Sequence, residues 1–128
     1  MNYILNYNII FIWCEMAELR TGPVRLSGYA LKLRRVFNAA FKDKYKSGEL
    51  DANVINEDVS ELNRKIYEVL VDRFEIPKEA IVNITVDYDV TEDKHLKIND
   101  ISIEVFDKDE ILSKNATKEV KSKLGLEG

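Results

Sequence analysis

The residues best suited to chemistry in this sequence are cations and aromatic rings that share one predicted helix, residues 27–46. At about 100° per residue its basic side chains gather into one stripe. We call this the cationic stripe, and it comprises Lys32, Arg35, Lys42 and Lys46. Phe37 and Phe41 lie within the opposite, apolar face and are assigned to the core, whereas Tyr29 and Tyr45 lie towards its margins. Cations that hold phosphates beside rings that stack on bases favour single-stranded nucleic acid as the ligand.

The charge around this helix is strongly polarised along the chain. Residues 20–46 contain eight Lys and Arg against one acid, a net charge of +7. Residues 47–113 contain seven Lys and Arg against eighteen acids, a net charge of −11, and the whole chain carries −4. A concentrated basic segment attracts polyanions even when the total charge is negative. The alternative is a solvated face that pairs with the acidic part of the same domain.

Other chemistry has little support in the sequence. His95 is the only histidine and lies in a predicted polar turn, where solvation is commoner than catalysis. Asp87 and Asp89, with Glu104 opposite, could hold Mg²⁺ in a nuclease-like site, although alternating acids on a strand more often face water. The five glycines form no phosphate-binding loop. We therefore predict no cofactor, no metal and no catalytic residue.

Length and composition indicate one domain from a reducing compartment. The chain has 128 residues, 45% of them hydrophobic and 33% charged, which describes a folded domain with a single core. The single cysteine, Cys14, excludes an internal disulfide and is typical of the cytoplasm. Residues 1–15 differ in composition from the rest and resemble no signal peptide or membrane span. We expect translation to start at Met16, with residues 1–15 as an incorrectly assigned extension and residues 16–128 as the domain, ending in a frayed tail.

The elements that must position these residues follow from hydrophobic periodicity. Helical spacing predicts helices over residues 27–46, capped by Ser27, over 57–74, capped by Asn56, and over 107–124. Strict alternation predicts an antiparallel hairpin of strands 81–90 and 96–106, and residues 24–26 suit a short edge strand. The predicted fold class is α+β, a small antiparallel sheet with two long helices packed on one face and a C-terminal helix. Since a hairpin alone is marginal, either the N-terminal strand or a second subunit completes the sheet.

Three blocks in this order and spacing, RLSGYALKLRRVF, ELNRKIYEVLVDRFEIPKEAIVNITVDYDV and ISIEVFDKDEI, resemble the archaeal ThermoDBP-related proteins, a family that binds single-stranded DNA. The resemblance covers most of residues 19–111. It implies oligomers with the strand in a cleft or intersubunit tunnel lined by apolar and basic residues. On the basic helix the matching residues are Lys32, Arg34 and Arg35, and on the second helix Asn63, Arg64, Lys65 and Tyr67. The C-terminal leucine zipper of the founding member has no full counterpart, since only Leu112, Val120 and Leu124 keep helical spacing.

These observations together predict a non-enzymatic protein that binds single-stranded DNA with little sequence preference. DNA is favoured over RNA by the resemblance alone, and the protein is expected to be a homo-oligomer, a dimer or a tetramer, with no membrane partner. The candidate nucleic-acid-binding residues are Arg25, Tyr29, Lys32, Arg34, Arg35, Lys42, Lys46, Arg64, Lys65 and Tyr67. One alternative is an oligomeric interaction module whose basic helix pairs with the acidic segment of a neighbour. A poorer one is the Mg²⁺-dependent nuclease.

Overall fold

The computed structural model describes residues 17–107 and 109–126. In chain order its elements are strands β1 (Ala17–Arg20) and β2 (Val24–Arg25), helices α1 (Tyr29–Ala40), α2 (Lys42–Ser47) and α3 (Ala52–Tyr67), strands β3 (Ile81–Val90) and β4 (Leu96–Phe106), and helix α4 (Glu110–Lys123). The predicted α+β class with a small antiparallel sheet is confirmed. The expectation for residues 1–15 lies outside the described residues. Within the described ranges, no helix has the length and hydrophobicity that crossing a membrane requires.

The sheet is organised around β3, which is paired along both of its edges. β4 pairs with β3 over its whole length, with one register irregularity at Asp87/Tyr88. On the other edge β1 pairs with the second half of β3 and β2 with its first residues, all antiparallel. The predicted hairpin bounds are therefore confirmed, and the N-terminal segment supplies the missing strands. Strand β1 was not anticipated from the sequence.

A short interruption separates β1 from β2. Gly22 has a φ of +69°, a conformation that favours glycine, and Pro23 has no amide hydrogen to donate. Buried Thr21 keeps the chain joined to β3, because its amide donates to the Ile84 carbonyl at 2.9 Å and its hydroxyl accepts from the Ile84 amide at 3.0 Å. The Gly-Pro pair thus breaks one edge strand into two short ones and hides the alternating pattern of the first.

The core lies between β3 and the helices α1 and α3. The inward residues of β3 alternate with half-buried ones along the strand, as period-two burial requires. Phe37 and Phe41 are buried as predicted, and the Phe37 ring meets the edge of the Tyr88 ring at 5.3 Å between centroids. The buried side chains that make up this core include Leu33, Phe37, Ile55, Val59, Val82, Ile84 and Val86.

Several predicted helix limits are wrong. The first helix is not continuous, because it begins after a 3₁₀ turn, Leu26–Gly28, and is interrupted at Phe41 before α2. Ser27 makes no side-chain cap; its amide donates to the Lys78 carbonyl instead. The second helix starts five residues earlier than predicted, because the Asp51 side chain caps it by accepting from the Asn53 amide at 2.9 Å. At its other end it widens into a π-helical turn, Glu68–Arg73.

A pair of polar bonds fixes α1 against α3. The Tyr29 hydroxyl donates to the Asn63 carbonyl at 2.8 Å, and the Asn63 side-chain amide donates to the Ala30 carbonyl at 3.1 Å. Tyr29 is only 4% exposed. Burial, with a smaller contribution from the nearby Tyr67 phenol, raises the pKa of Tyr29 from 10.0 to about 12. The fold therefore holds this phenol in its protonated form.

Tyr29→Phe removes the donor to the Asn63 carbonyl and should lower the free energy of unfolding at pH 7 by about 1 kcal/mol, measured by urea denaturation. Between pH 10 and 12 the wild type should lose further stability, because the unfolded chain ionises its tyrosine near pH 10 while the fold resists ionisation. The variant lacks this loss at residue 29, so the two stabilities should converge as pH rises. Tyr67→Phe is the control, and equal effects of the two substitutions at pH 7 would contradict the assignment.

Candidate nucleic-acid interface

The cationic stripe lies on the solvent side of α1 and α2. Lys32, Arg35, Lys42 and Lys46 are all exposed. Among the described residues, no carboxylate lies within ion-pair distance of any of them. Arg25, on β2 at the sheet edge, is likewise exposed and unpaired in the described part of the chain. Internal pairing with the acidic segment, the alternative drawn from the charge pattern, does not occur at these positions in the described structure.

Two other predicted cations already have partners. The Arg34 guanidinium donates to the Ser60 hydroxyl at 2.9 Å, in a polar hollow of about 610 Å³ between α1 and α3. Arg64 pairs with Glu61 and Glu68 on its own helix. Its hydrogen bond to Glu61 lowers the pKa of that carboxyl and raises the pKa of Arg64. These contacts neutralise Arg64 and leave it less available to a phosphate than the stripe.

The two predicted tyrosines differ in their accessibility. The expectation that Tyr29 lies at a margin and offers its ring to a base is wrong, because the ring is buried and its hydroxyl is bonded to α3. The partner of this hydroxyl, Asn63, lies 34 residues further along the chain, so the periodicity of α1 alone does not show the contact. Tyr67 is 49% exposed and lies on α3 near Tyr29, so its ring stays accessible. Tyr45 is half-buried, and its hydroxyl donates to the Asn38 side-chain oxygen at 2.8 Å.

An apolar groove runs between α3 and β4, and sequence reasoning did not find it. We call it the α3–β4 groove; its volume is about 660 Å³. Apolar residues of both elements line it, with Asp58, Glu61 and Lys65 as the charged members. The apolar lining residues are Leu62, Ile66, Val69, Leu96, Ile98, Ile101 and Ile103. Of the ten predicted binding residues, this groove includes Lys65.

The groove has one fixed end and one open end. At the fixed end Asp58 of α3 accepts from the Leu96 amide at 2.9 Å, and the His95 ring nitrogen Nδ1 lies 3.1 Å from the same carboxylate oxygen. His95 therefore contacts the helix instead of standing free in a turn. Towards the other end exposure rises, to 37% at Ile101 and 44% at Val69. Helix and strand are thus joined at the start of β4 and leave apolar surface uncovered further along.

Helix α3 separates the groove from the cationic stripe. Ser60 and Asn63 face α1, through their bonds to Arg34 and Ala30, whereas Leu62, Lys65 and Val69 face the groove. The structure therefore divides the predicted binding residues between two surfaces. The signal for the groove in the sequence is β4 itself, which contributes the apolar lining residues Leu96, Ile98, Ile101 and Ile103.

The acidic face of the sheet points away from both helices. Cross-strand register sets Glu18 and Asp100 on either side of Asp87, and Asp89 lies near the Asn99 side-chain amide at 3.4 Å. Within the described residues, no group of three or more His, Cys, Asp or Glu side chains is arranged to hold a metal ion. The Asp87 and Asp89 pair consequently has no supporting ligands in this part of the chain.

Comparison with known proteins supplies the family. The chain aligns over 86% of its length with a crystal structure of apeThermo-DBP-RP2 bound to ssDNA dT10, at 30% sequence identity and a TM-score of 0.74. The alignment covers 51% of that protein, so this chain spans about half its length. No curated protein matches the chain. Residues 19–97 match the family model described as ThermoDBP-related, archaea. Because this match covers more than half of the chain, the protein belongs to the ThermoDBP-related family of archaea.

Proposed function

We propose that this protein binds single-stranded DNA without strong sequence preference and performs no catalysis. The observation that carries the proposal is the α3–β4 groove, which is open, apolar and about 660 Å³ in volume. The fold that contains it is similar to that of apeThermo-DBP-RP2, whose structure was determined with bound dT10. Open apolar surface of this kind marks a site of interaction. A DNA-binding role would place the protein in the cytoplasm, as the sequence predicts.

The groove suits unpaired bases better than a duplex. Its apolar lining runs from Leu96 to Ile103 on β4, roughly 23 Å at about 3.3 Å per residue. Apolar side chains contact the faces of bases, and these faces are accessible only when the bases are unstacked and unpaired. Nothing in such contacts reads a base edge, so weak sequence preference follows. Recognition of the sugar 2′-hydroxyl would be needed to exclude RNA.

The cations assist at two ranges. Lys65 stands at the groove and is exposed, so its ammonium group can meet a phosphate of a strand held there. The cationic stripe lies across α3 from the groove, where it attracts the polyanion over a longer distance and contacts flanking phosphates. Arg25 extends this positive surface to the sheet edge. The acidic sheet face repels the strand and leaves the helical side as the binding side.

Lys32→Ala combined with Arg35→Ala should weaken binding to labelled dT10 and lower the slope of log affinity against log salt by about 1.4, because each lost phosphate contact contributes about 0.7 for a single strand. Fluorescence anisotropy at four salt concentrations measures both quantities. The matched control is Lys118→Ala with Lys121→Ala, which removes the same charge from α4. An unchanged slope in the stripe variant, or an equal change in the control, would remove the stripe from the binding surface.

A second property, self-association, has its own support in helix α4. The helix has no described packing against the body of the domain: Ile111 is 75% exposed, Leu112 64%, Val120 56% and Leu124 67%. Leu112, Ala116, Val120 and Leu124 recur every four residues and form one apolar stripe. We infer that this stripe packs against a second copy of the chain. This contact agrees with the homo-oligomer that the sequence predicts, and it does not require the zipper repeat of a long coiled coil.

Leu112→Glu combined with Val120→Glu should shift the protein towards the monomer, because two buried carboxylates would oppose packing of the stripe. Sedimentation equilibrium over a range of protein concentrations reports the assembly state. Asn115→Glu with Ser122→Glu adds the same charge to the other side of α4 and should leave assembly unchanged. A wild type that stays monomeric throughout the range would contradict the inference. Assembly without any affinity for dT10 would favour the interaction module.

A further inference from the structure

Phe74 is the most exposed aromatic residue in the described part of the chain. It is 62% exposed, compared with 49% for Tyr67 and 48% for Phe106. Helical spacing from Ile66 and Leu70 predicts Phe74 in the core, and Leu70 is indeed 5% exposed, so the prediction for Phe74 is wrong. An exposed phenylalanine leaves a large apolar surface in water. The local backbone shows why this ring is outside.

The π-helical turn, Glu68–Arg73, sets the direction of Phe74. The Phe74 amide donates to the Val69 carbonyl at 3.0 Å, a bond that spans five residues. In an α-helix the residue five positions on lies about 140° around the axis, whereas the wider π turn, with its bond between residues i and i+5, brings it closer to the first. Val69 lines the groove, and Phe74 ends the same π-helical turn and is bonded through its amide to the Val69 carbonyl. The exposed ring therefore belongs to the turn that leads directly out of the groove-lining part of the helix.

Arg73 holds the phenylalanine from one side. The carbon at the centre of its guanidinium lies 5.6 Å from the centroid of the Phe74 ring, a cation–π contact. Within the described residues, Arg73 forms no ion pair with a carboxylate. A stacked guanidinium keeps its edge donors free, and these suit the oxygens of a phosphate. One face of the ring is thus supported by a cation while most of the ring remains open to solvent.

We propose that Phe74, at the end of the π-helical turn that also holds the groove-lining residue Val69, is a base-stacking platform for a strand that leaves the α3–β4 groove, with Arg73 fixing the ring and holding the adjacent phosphate. This inference rests on the proposed DNA binding and adds a specific contact to it. The ring offers a flat face that any unpaired base can cover, and the guanidinium supplies the charge that the neighbouring phosphate needs. The bases of a duplex are already stacked on both faces, so the platform selects single strands.

The test uses the full chain and two ligands of equal charge. Phe74→Leu keeps an apolar side chain but removes the aromatic face, and Phe74→Tyr restores the face. Each is titrated against labelled dT10 and against an abasic ten-unit phosphodiester of the same length. Phe74→Leu should weaken dT10 binding about 5- to 150-fold, because stacking on one base is worth that range, and should leave abasic binding unchanged. Phe74→Tyr should bind dT10 within about twofold of the wild type.

Ile111→Ala provides the control for loss of an exposed apolar side chain outside the groove, and it should bind dT10 as the wild type does. Wild-type affinity of Phe74→Leu for dT10 would overturn the platform while leaving DNA binding intact. Equal weakening towards dT10 and the abasic ligand would also overturn it, since a structural role would then explain the loss. Failure of the wild type to bind dT10 would overturn the proposed function itself, and the platform with it. Photo-crosslinking with a 5-iodouracil oligonucleotide tests the contact independently of affinity. A crosslink to the peptide that contains Phe74 is the expected result, and crosslinks confined to other peptides would contradict the platform.

Discussion

Burial of one face of β3 is the interaction on which the rest of the structure depends. Val82, Ile84 and Val86 are completely buried, and they meet the completely buried Leu33 and Phe37 of α1 and Ile55 and Val59 of α3. β3 is the central strand of the sheet, with β1 and β2 on one side and β4 on the other, and both helices pack against it. β4 lies at the margin of this arrangement. The inward side chains of β4 are covered on one side only, by α3. The space left uncovered between these two elements is the α3–β4 groove.

The polar contacts between elements maintain that spacing. Tyr29 and Asn63 hold α1 and α3 together, so α3 cannot slide outwards over β4 without losing two hydrogen bonds. Asp58 ties the first half of α3 to the Leu96 amide, so the helix cannot leave the sheet at that end. Because α3 is held to β4 at Asp58 and to α1 at Asn63, it can diverge from β4 only towards its C-terminal end. The greater exposure of Ile101 and Val69 follows from this geometry.

The sequence predicted what local periodicity determines and missed what neighbouring elements decide. Strands 81–90 and 96–106 were predicted at their observed bounds, because alternation along β3 is uninterrupted. β1 escaped prediction because Gly22 and Pro23 break the pattern after four residues. The burial of Tyr29 depends on its bond to Asn63, which lies 34 residues away in sequence. α-Helical spacing from Ile66 and Leu70 would bury Phe74, but the ring is exposed because a π turn intervenes, and a periodicity of 3.6 residues does not describe a π turn.

The cationic stripe and the α3–β4 groove are separate surfaces because α3 lies between them. Coulombic attraction acts over about 8 Å at physiological salt, so cations on α1 need not touch the bases they help to recruit. Apolar and stacking contacts act only at van der Waals distance, so they must line the groove itself. Arg64 pairs with both Glu61 and Glu68, so this group of three side chains carries a net negative charge and Arg64 adds no free cation on α3. In the proposed complex a strand in the groove would be held by its bases, with Lys65 as the cation that lines the groove. We therefore expect salt concentration to change the association rate constant, which the cationic stripe raises, more than it changes the contribution of the groove to the equilibrium affinity.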